Sequence, residues 1–207
     1  MEQFRLLRNI KKELNKVIIM PSPNKTRSDA WNLLTTHTKN QNLIKHGLAV
    51  EAAMRFYARK LQGDEEVWGM VGLLHDFDYE KYPTLEEHPY KGQEILEAEG
   101  FSEEIRTGIM AHAPHTGTTR ETMMHKAIFA VDELSGFIVA VTLIRPSKKI
   151  ADVDAQSILK KMKQKGFARG VSREDIIQGA EELEITLEEH VQNVLTALQG
   201  IAGELRL

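Results

Sequence analysis

The side chains able to do chemistry in this 207-residue chain are histidines and carboxylates, because the sequence contains no cysteine. That absence removes disulfides, thiolate metal sites and cysteine nucleophiles together, so any metal must be held by nitrogen and oxygen donors. Eight histidines are available. Three positions stand out against apolar surroundings. His46 begins an apolar stripe through Val50, Ala53, Tyr57 and Leu61. His75-Asp76 ends the run from Gly69 to Leu74, and Asp132 follows Ala127-Ile128-Phe129-Ala130-Val131 with more apolar residues beyond. A carboxylate inside an apolar helix costs several kcal/mol unless it is paired or binds a metal, so Asp132 needs a positive partner. Taken singly, His46 also reads as a satisfied core histidine, and His75-Asp76 as a helix end turning into solvent.

The elements that must position these residues read as helices throughout. Phe4, Leu7, Ile10, Leu14 and Val17 recur at steps of three and four, which predicts a short amphipathic helix stopped by Pro21-Ser22-Pro23. Residues 1–20 are therefore expected to be an appendage to a single domain over 21–207. A short helix around Asp29 to Thr36 comes next, followed by the long helix of the His46 stripe, closed by Gly63-Asp64. From Glu65 a helix with Val67, Trp68, Met70, Val71, Leu73 and Leu74 should be buried nearly all round. His88-Pro89 starts another and Gly100 ends it; Ser102 caps the next, with Ile105, Ile109 and His112 on one face. Thr116 to Thr119 reads as a loop, Glu121 to Ile144 as the longest helix, and further helices are expected at about 152–165, 172–184 and 186–202, with Ser172 and Thr186 as caps. No strand-like alternation and no repeat is present, so the fold class is all-α. Trp68 and Phe137 suit either the core or a subunit contact, which leaves a homo-oligomer open.

The order His46, His75-Asp76, Asp132 on three separate apolar helices resembles the HD superfamily of metal-dependent phosphohydrolases. The resemblance implies an HD-type helical bundle, with a metal-site core over about 28–150, in which those four residues bind a divalent metal. Gly72 to Glu80, His88-Pro89-Tyr90-Lys91-Gly92 and Val131-Asp132-Glu133-Leu134 look like a set of small bacterial and archaeal predicted HD hydrolases, similar to this chain from about Pro21 to the C-terminus. Binuclear members of the superfamily add a histidine in a His-Pro-x-x-Gly motif and another at the end of the following helix. His88 and His112 occupy those places, whereas His112-Ala113 without a following Gly-Tyr-Pro departs from the branch that carries a His-His pair. His115 reads as a solvent-facing loop residue, and His37, His125 and His190 as structural or exposed.

Such a ligand set leaves a divalent cation with net positive charge and open positions for water, so bound water becomes a hydroxide near neutral pH. Asp76 is then the natural ligand between two ions, and Asp78 is expected to orient a ligand or water. Iron or manganese suits these donors best; magnesium, nickel, cobalt and zinc also fit the ligand types. A phosphate substrate needs cations, and Arg145 to Arg173 holds nine basic residues against two acids, a net of +7. Arg145, Lys148 and Lys149, directly after the Asp132 helix, are expected to line the mouth of the site and hold phosphate oxygens. The expected activity is hydrolysis of a small phosphate ester, a nucleotide by preference. The rival readings are a di-iron oxygenase of the same fold and a non-catalytic module that binds a nucleotide or metal.

Composition sets the outer bounds. With 42% hydrophobic and 28% charged residues the chain can fill a core and coat it. A net charge of −3 gives no general reason to bind a nucleic-acid duplex. The longest strongly apolar stretch, Phe137 to Ile144, is far short of the roughly 20 residues a membrane span needs. The basic start leads only to the four-residue run Val17 to Met20, too short for a signal peptide, so the expected location is the cytoplasm.

Overall fold

Side-chain caps set the start of nearly every helix in the computed structural model, which describes residues 25–207. In α1 (Arg27–His37) the Thr26 hydroxyl accepts from the Asp29 backbone N–H while the Asp29 carboxylate accepts from the Thr26 N–H, a reciprocal capping box. Asp29 is thus the third residue of the helix rather than its first. Asn40 caps α2 (Gln41–Leu61), and Asp64 caps α3 (Glu65–Leu74) by accepting from the Glu66 and Val67 N–H groups. After α4 (Tyr90–Ala98), Ser102 caps α5 (Glu103–Met110) and Thr122 caps α6 (Met123–Leu143). Asp154, Ser172 and Thr186 cap α7 (Ala155–Met162), α8 (Arg173–Glu182) and α9 (Leu187–Gly200), and α10 (Ala202–Leu205) ends the chain.

Among the described residues there is no strand, as the sequence predicts. The helix expected over 152–165 is shorter. Asp154 accepts from Ser157 N–H and so fixes the start at Ala155, leaving Ile150–Asp152 as a separate 3-10 turn. Pro114–Thr116, where a loop was expected to begin, forms a second 3-10 turn. The appendage over 1–20 lies outside the described residues. No helix of the described residues is long and apolar enough to cross a membrane.

One cluster of buried apolar side chains runs from Ala30 to Leu205, with α2, α3 and α6 at its centre. Trp68 and Phe137 are both buried in it, which assigns them to the core. The α2–α3 contact is a backbone approach: a Cβ on Gly72 would sit 2.8 Å from the Val50 carbonyl oxygen. That closeness brings His46 on α2 to the end of α3, where His75 lies. Glu51, buried on α2, accepts from Arg27 of α1 at 2.6 Å and from Arg55 at 3.0 Å, and Arg55 also reaches Glu66 of α3 at 2.8 Å. The buried carboxylate is therefore satisfied and ties three helices together.

His190 makes a second polar pin. Its Nε2–H donates to the Ala130 carbonyl of α6 at 2.9 Å, so its Nδ1 accepts from the Tyr57 hydroxyl of α2 at 2.7 Å. Asn193 Nδ2 donates to the same hydroxyl oxygen. Burial pulls His190 down to about 4, so the folded state holds it neutral. The group therefore contributes full stability above the unfolded histidine pKa of about 6.5 and loses it as pH falls from there towards 4, up to roughly 3 kcal/mol. Urea unfolding of chelator-treated protein is expected to show this acid loss in the parent and a flatter profile in His190→Gln. Tyr57→Phe, which strands Nδ1, is expected to cost about 1–3 kcal/mol at neutral pH.

Candidate metal centre

Six side chains from three helices and two turns converge at the middle of the bundle. His46 comes from α2, His75 and Asp76 from the end of α3, His88 from the turn before α4, His112 from just after α5, and Asp132 from the middle of α6. Their donor atoms fall into two groups. In the first, His46 Nε2 lies 2.9 Å from Asp132 Oδ1, 3.2 Å from His75 Nε2 and 4.0 Å from Asp76 Oδ2, while His75 Nε2 lies 3.4 Å from Asp132 Oδ1 and 3.5 Å from Asp76 Oδ2. In the second, His88 Nε2 lies 3.1 Å from His112 Nε2 and 3.2 Å from Asp76 Oδ1, and His112 Nε2 lies 3.5 Å from that same oxygen. Asp76 thus directs one carboxylate oxygen to each group, and each group can hold a metal ion.

The separations suit a first-row divalent cation. Bonds of about 2.0–2.2 Å at right or tetrahedral angles place neighbouring donors about 3.0–3.5 Å apart. The tautomers agree. His75 Nδ1–H donates to the Gly72 carbonyl, and His112 Nδ1–H donates to the Ile109 carbonyl, leaving each Nε2 lone pair aimed at the centre. His88 Nδ1–H donates to Asp78 Oδ1 at 2.8 Å. Two nitrogen lone pairs facing each other at 3.1 Å, as His88 and His112 do, need a proton or a cation between them. Without a metal, protons supply that charge. Burial lowers His75, but Asp76 and Asp132 outweigh it and raise it to about 9; burial likewise lowers His88, and the bonds to Asp76 and Asp78 raise it to about 9. Burial pushes Asp76 and Asp132 up, and the surrounding imidazoles hold both well below the usual carboxylate range.

Asp78 holds the His88 ring and contacts no other donor residue. It is 1% exposed, and its carboxylate spans His88 Nδ1 and the Gly92 N–H, 2.8 Å from each. Its carboxylate is turned to the far side of the His88 ring from the donor cluster, so Asp78 is a positioning residue and not a catalytic one. A Cβ on Gly92 would lie 2.9 Å from the Asp78 carboxylate carbon, which explains the glycine of His-Pro-x-x-Gly.

Arg145, Lys148 and Lys149 are not brought to the cluster. Asp132 is followed by eleven more residues of α6, a rise of about 16 Å, and the three cations stand beyond that end. None of them lines either cavity that opens on the donors. The adjacency in sequence that suggested them becomes distance along a straight helix.

The smaller cavity, about 170 Å³, is walled by His88, His112, His115, Phe129, Asp132, Glu133 and Asp175 among others, with no lysine or arginine. His115 is exposed as expected, yet it sits on this rim and its Nε2–H donates to the His88 carbonyl at 2.8 Å. Glu133 and Asp175 are wall residues that the sequence reading missed. Glu133 accepts from the Ser172 N–H at 3.2 Å, and burial followed by the Asp132 charge raises it to about 7. Its position in the apolar α6 run next to Asp132 was the available signal, since the desolvation argument applies equally to both acids. Of the other histidines, His190 is structural, His37 packs edge-on against Phe77, and His125 is half-buried on α6.

Because Asp78 sets the His88 ring, Asp78→Ala is expected to weaken metal retention in the second donor group about 10–100-fold, as read by chelator competition. Gly92→Ala is expected to act in the same direction by displacing that carboxylate, with the first group unaffected in both variants.

Comparison with known proteins gives one result consistent with this geometry. No curated protein and no solved structure matches the chain. A family model described as HD domain matches residues 43–199, well over half of the chain, from the start of α2 nearly to the end of α9. With the histidine and aspartate donors in that interval converging as described, the chain belongs to the HD-domain family of all-α proteins, a superfamily of metal-dependent hydrolases.

Proposed function

We propose that the protein is a metal-dependent phosphohydrolase, a monoesterase or diesterase acting on a nucleotide or another small phosphate ester. The observation that carries this reading is the Asp76 carboxylate, with Oδ2 towards His46 and His75 and Oδ1 towards His88 and His112. Two divalent ions held by these donors, iron or manganese by preference, would supply positive charge for phosphoryl oxygens and an acidified water at neutral pH.

The chain's own residues do the remaining work. Gly72, Ile109 and Asp78 fix the ring orientations of His75, His112 and His88, so the donor nitrogens need no rearrangement. Asp132 Oδ1 contacts both His46 and His75 and closes the first group from the α6 side. Glu133, half-buried against the same cavity, holds a proton near neutral pH on a carboxyl whose other partner is the Ser172 N–H.

The cation-free wall of the smaller cavity favours a second reading. Glu133 and Asp175 suit hydroxyl donors of a polyol, as a di-iron oxygenase of the same fold would require. The two readings separate in one assay. Phosphate release under anaerobic conditions, lost to background in an Asp76→Ala variant that retains the parental circular dichroism, is the expected result. Iron-dependent oxygen uptake with an organic substrate and no phosphate release would establish the oxygenase instead.

A further inference from the structure

A second cavity, which of the six donor residues only His46 lines, differs in chemistry from the first. It is larger, about 320 Å³, and lies on the other side of His46. Gly136, Val139 and Leu143 of α6 line one side, Leu205 and Leu207 another, and apart from His46 the only polar residues on its wall are Asn42 and Lys45. Gly136 places the recess directly against the donor ring: a Cβ there would be in ordinary contact with His46, 3.9 Å from Cε1. From Gly136 to Leu143 the recess follows α6 for about 10 Å. Lys45 is the one lysine or arginine on the wall of either cavity.

Resting on the phosphohydrolase reading, we propose that this recess binds an uncharged apolar group of the substrate, so that the protein acts on phosphate esters of hydrophobic alcohols. Its volume is about twice the roughly 150 Å³ that accepts benzene, which matches two fused aromatic rings or a chain of about eight carbons. Lys45 precedes His46 on α2, so one turn of helix offers a nitrogen to the metal group and an ammonium to the recess. A phosphate at the donor cluster would carry its ester group into the apolar side, away from the acidic wall of Glu133 and Asp175. That division supplies the substrate cation that Arg145, Lys148 and Lys149 do not.

Calorimetric titration of the manganese-loaded full chain with 1-naphthylmethylphosphonate, octylphosphonate and ethylphosphonate tests the proposal without requiring turnover. At least one of the apolar probes is expected to bind about tenfold or more tightly than ethylphosphonate. A naphthyl preference identifies a planar group and an octyl preference a chain, and either upholds the recess. Val139→Trp, which fills it, is expected to abolish the advantage while leaving metal content and ethylphosphonate affinity unchanged. Leu143→Trp, at a half-exposed position with room to relax, serves the same purpose if Val139→Trp does not fold. Equal affinity for all three probes, or an advantage that survives filling, overturns the proposal. An apolar advantage with no hydrolysis of naphthyl or octyl phosphate keeps the recess and overturns the phosphohydrolase reading; hydrolysis without the advantage does the reverse.

Discussion

Two carboxylates and four imidazoles meet inside an otherwise apolar helical core, and they can be held there only with positive charge between them. Every distance at the centre reflects that demand. Protons on His75 and His88 meet it in the metal-free protein, where the neighbouring carboxylates raise both groups to about 9 against the opposing effect of burial. A cation that takes the place of those protons must release them, so metal affinity and pH are linked at this centre. The cluster is thereby suited to a cation of charge two or more, which neutralises several donors at once.

The rest of the fold serves the convergence. Gly72 allows α2 and α3 to touch through their backbones, which sets His46 beside His75. Asp78 and Gly92 orient His88 from the turn before α4, and the Ile109 carbonyl does the same for His112 at the end of α5. Glu51 with its two arginines and His190 with Tyr57 pin α1, α3, α6 and α9 to the central helix at some distance from the donors. These polar pins are each fully partnered. At the donor cluster, by contrast, His88 Nε2 and His112 Nε2 face each other at 3.1 Å and require a proton or a cation between them.

The helical class was legible from local signals, and apolar context singled out His46, His75-Asp76 and Asp132, whereas His88 and His112 came only from the resemblance to the HD superfamily. Apolar periodicity located α2, α3 and α6, and a carboxylate in an apolar run marked Asp132 before any contact was known. Asp78 was legible only in part. Its position after His75-Asp76 suggested an orienting role, but a tight turn had to carry it to His88 rather than to the centre. The cationic residues were misplaced because proximity in sequence was taken for proximity in space, and a helix of 21 residues separates its two ends. Lys45 and Glu133, each next to a donor, were passed over. A residue adjacent to an inward one is rotated by about 100° on a helix and is ordinarily read as leaving the site. Here two cavities flank the cluster, so both neighbours find a wall to occupy.

Both donor groups depend on Asp76, which gives one carboxylate oxygen to each. Metal content per chain, measured by elemental analysis after reconstitution with manganese or iron and gel filtration, tests this in the parent, His88→Ala and Asp76→Ala. About two ions are expected in the parent, about one when His88 is removed, and retention of neither when Asp76 is removed, with all three proteins folded. One ion in both the parent and His88→Ala, or a parental complement in Asp76→Ala, would contradict the dependence of both groups on Asp76.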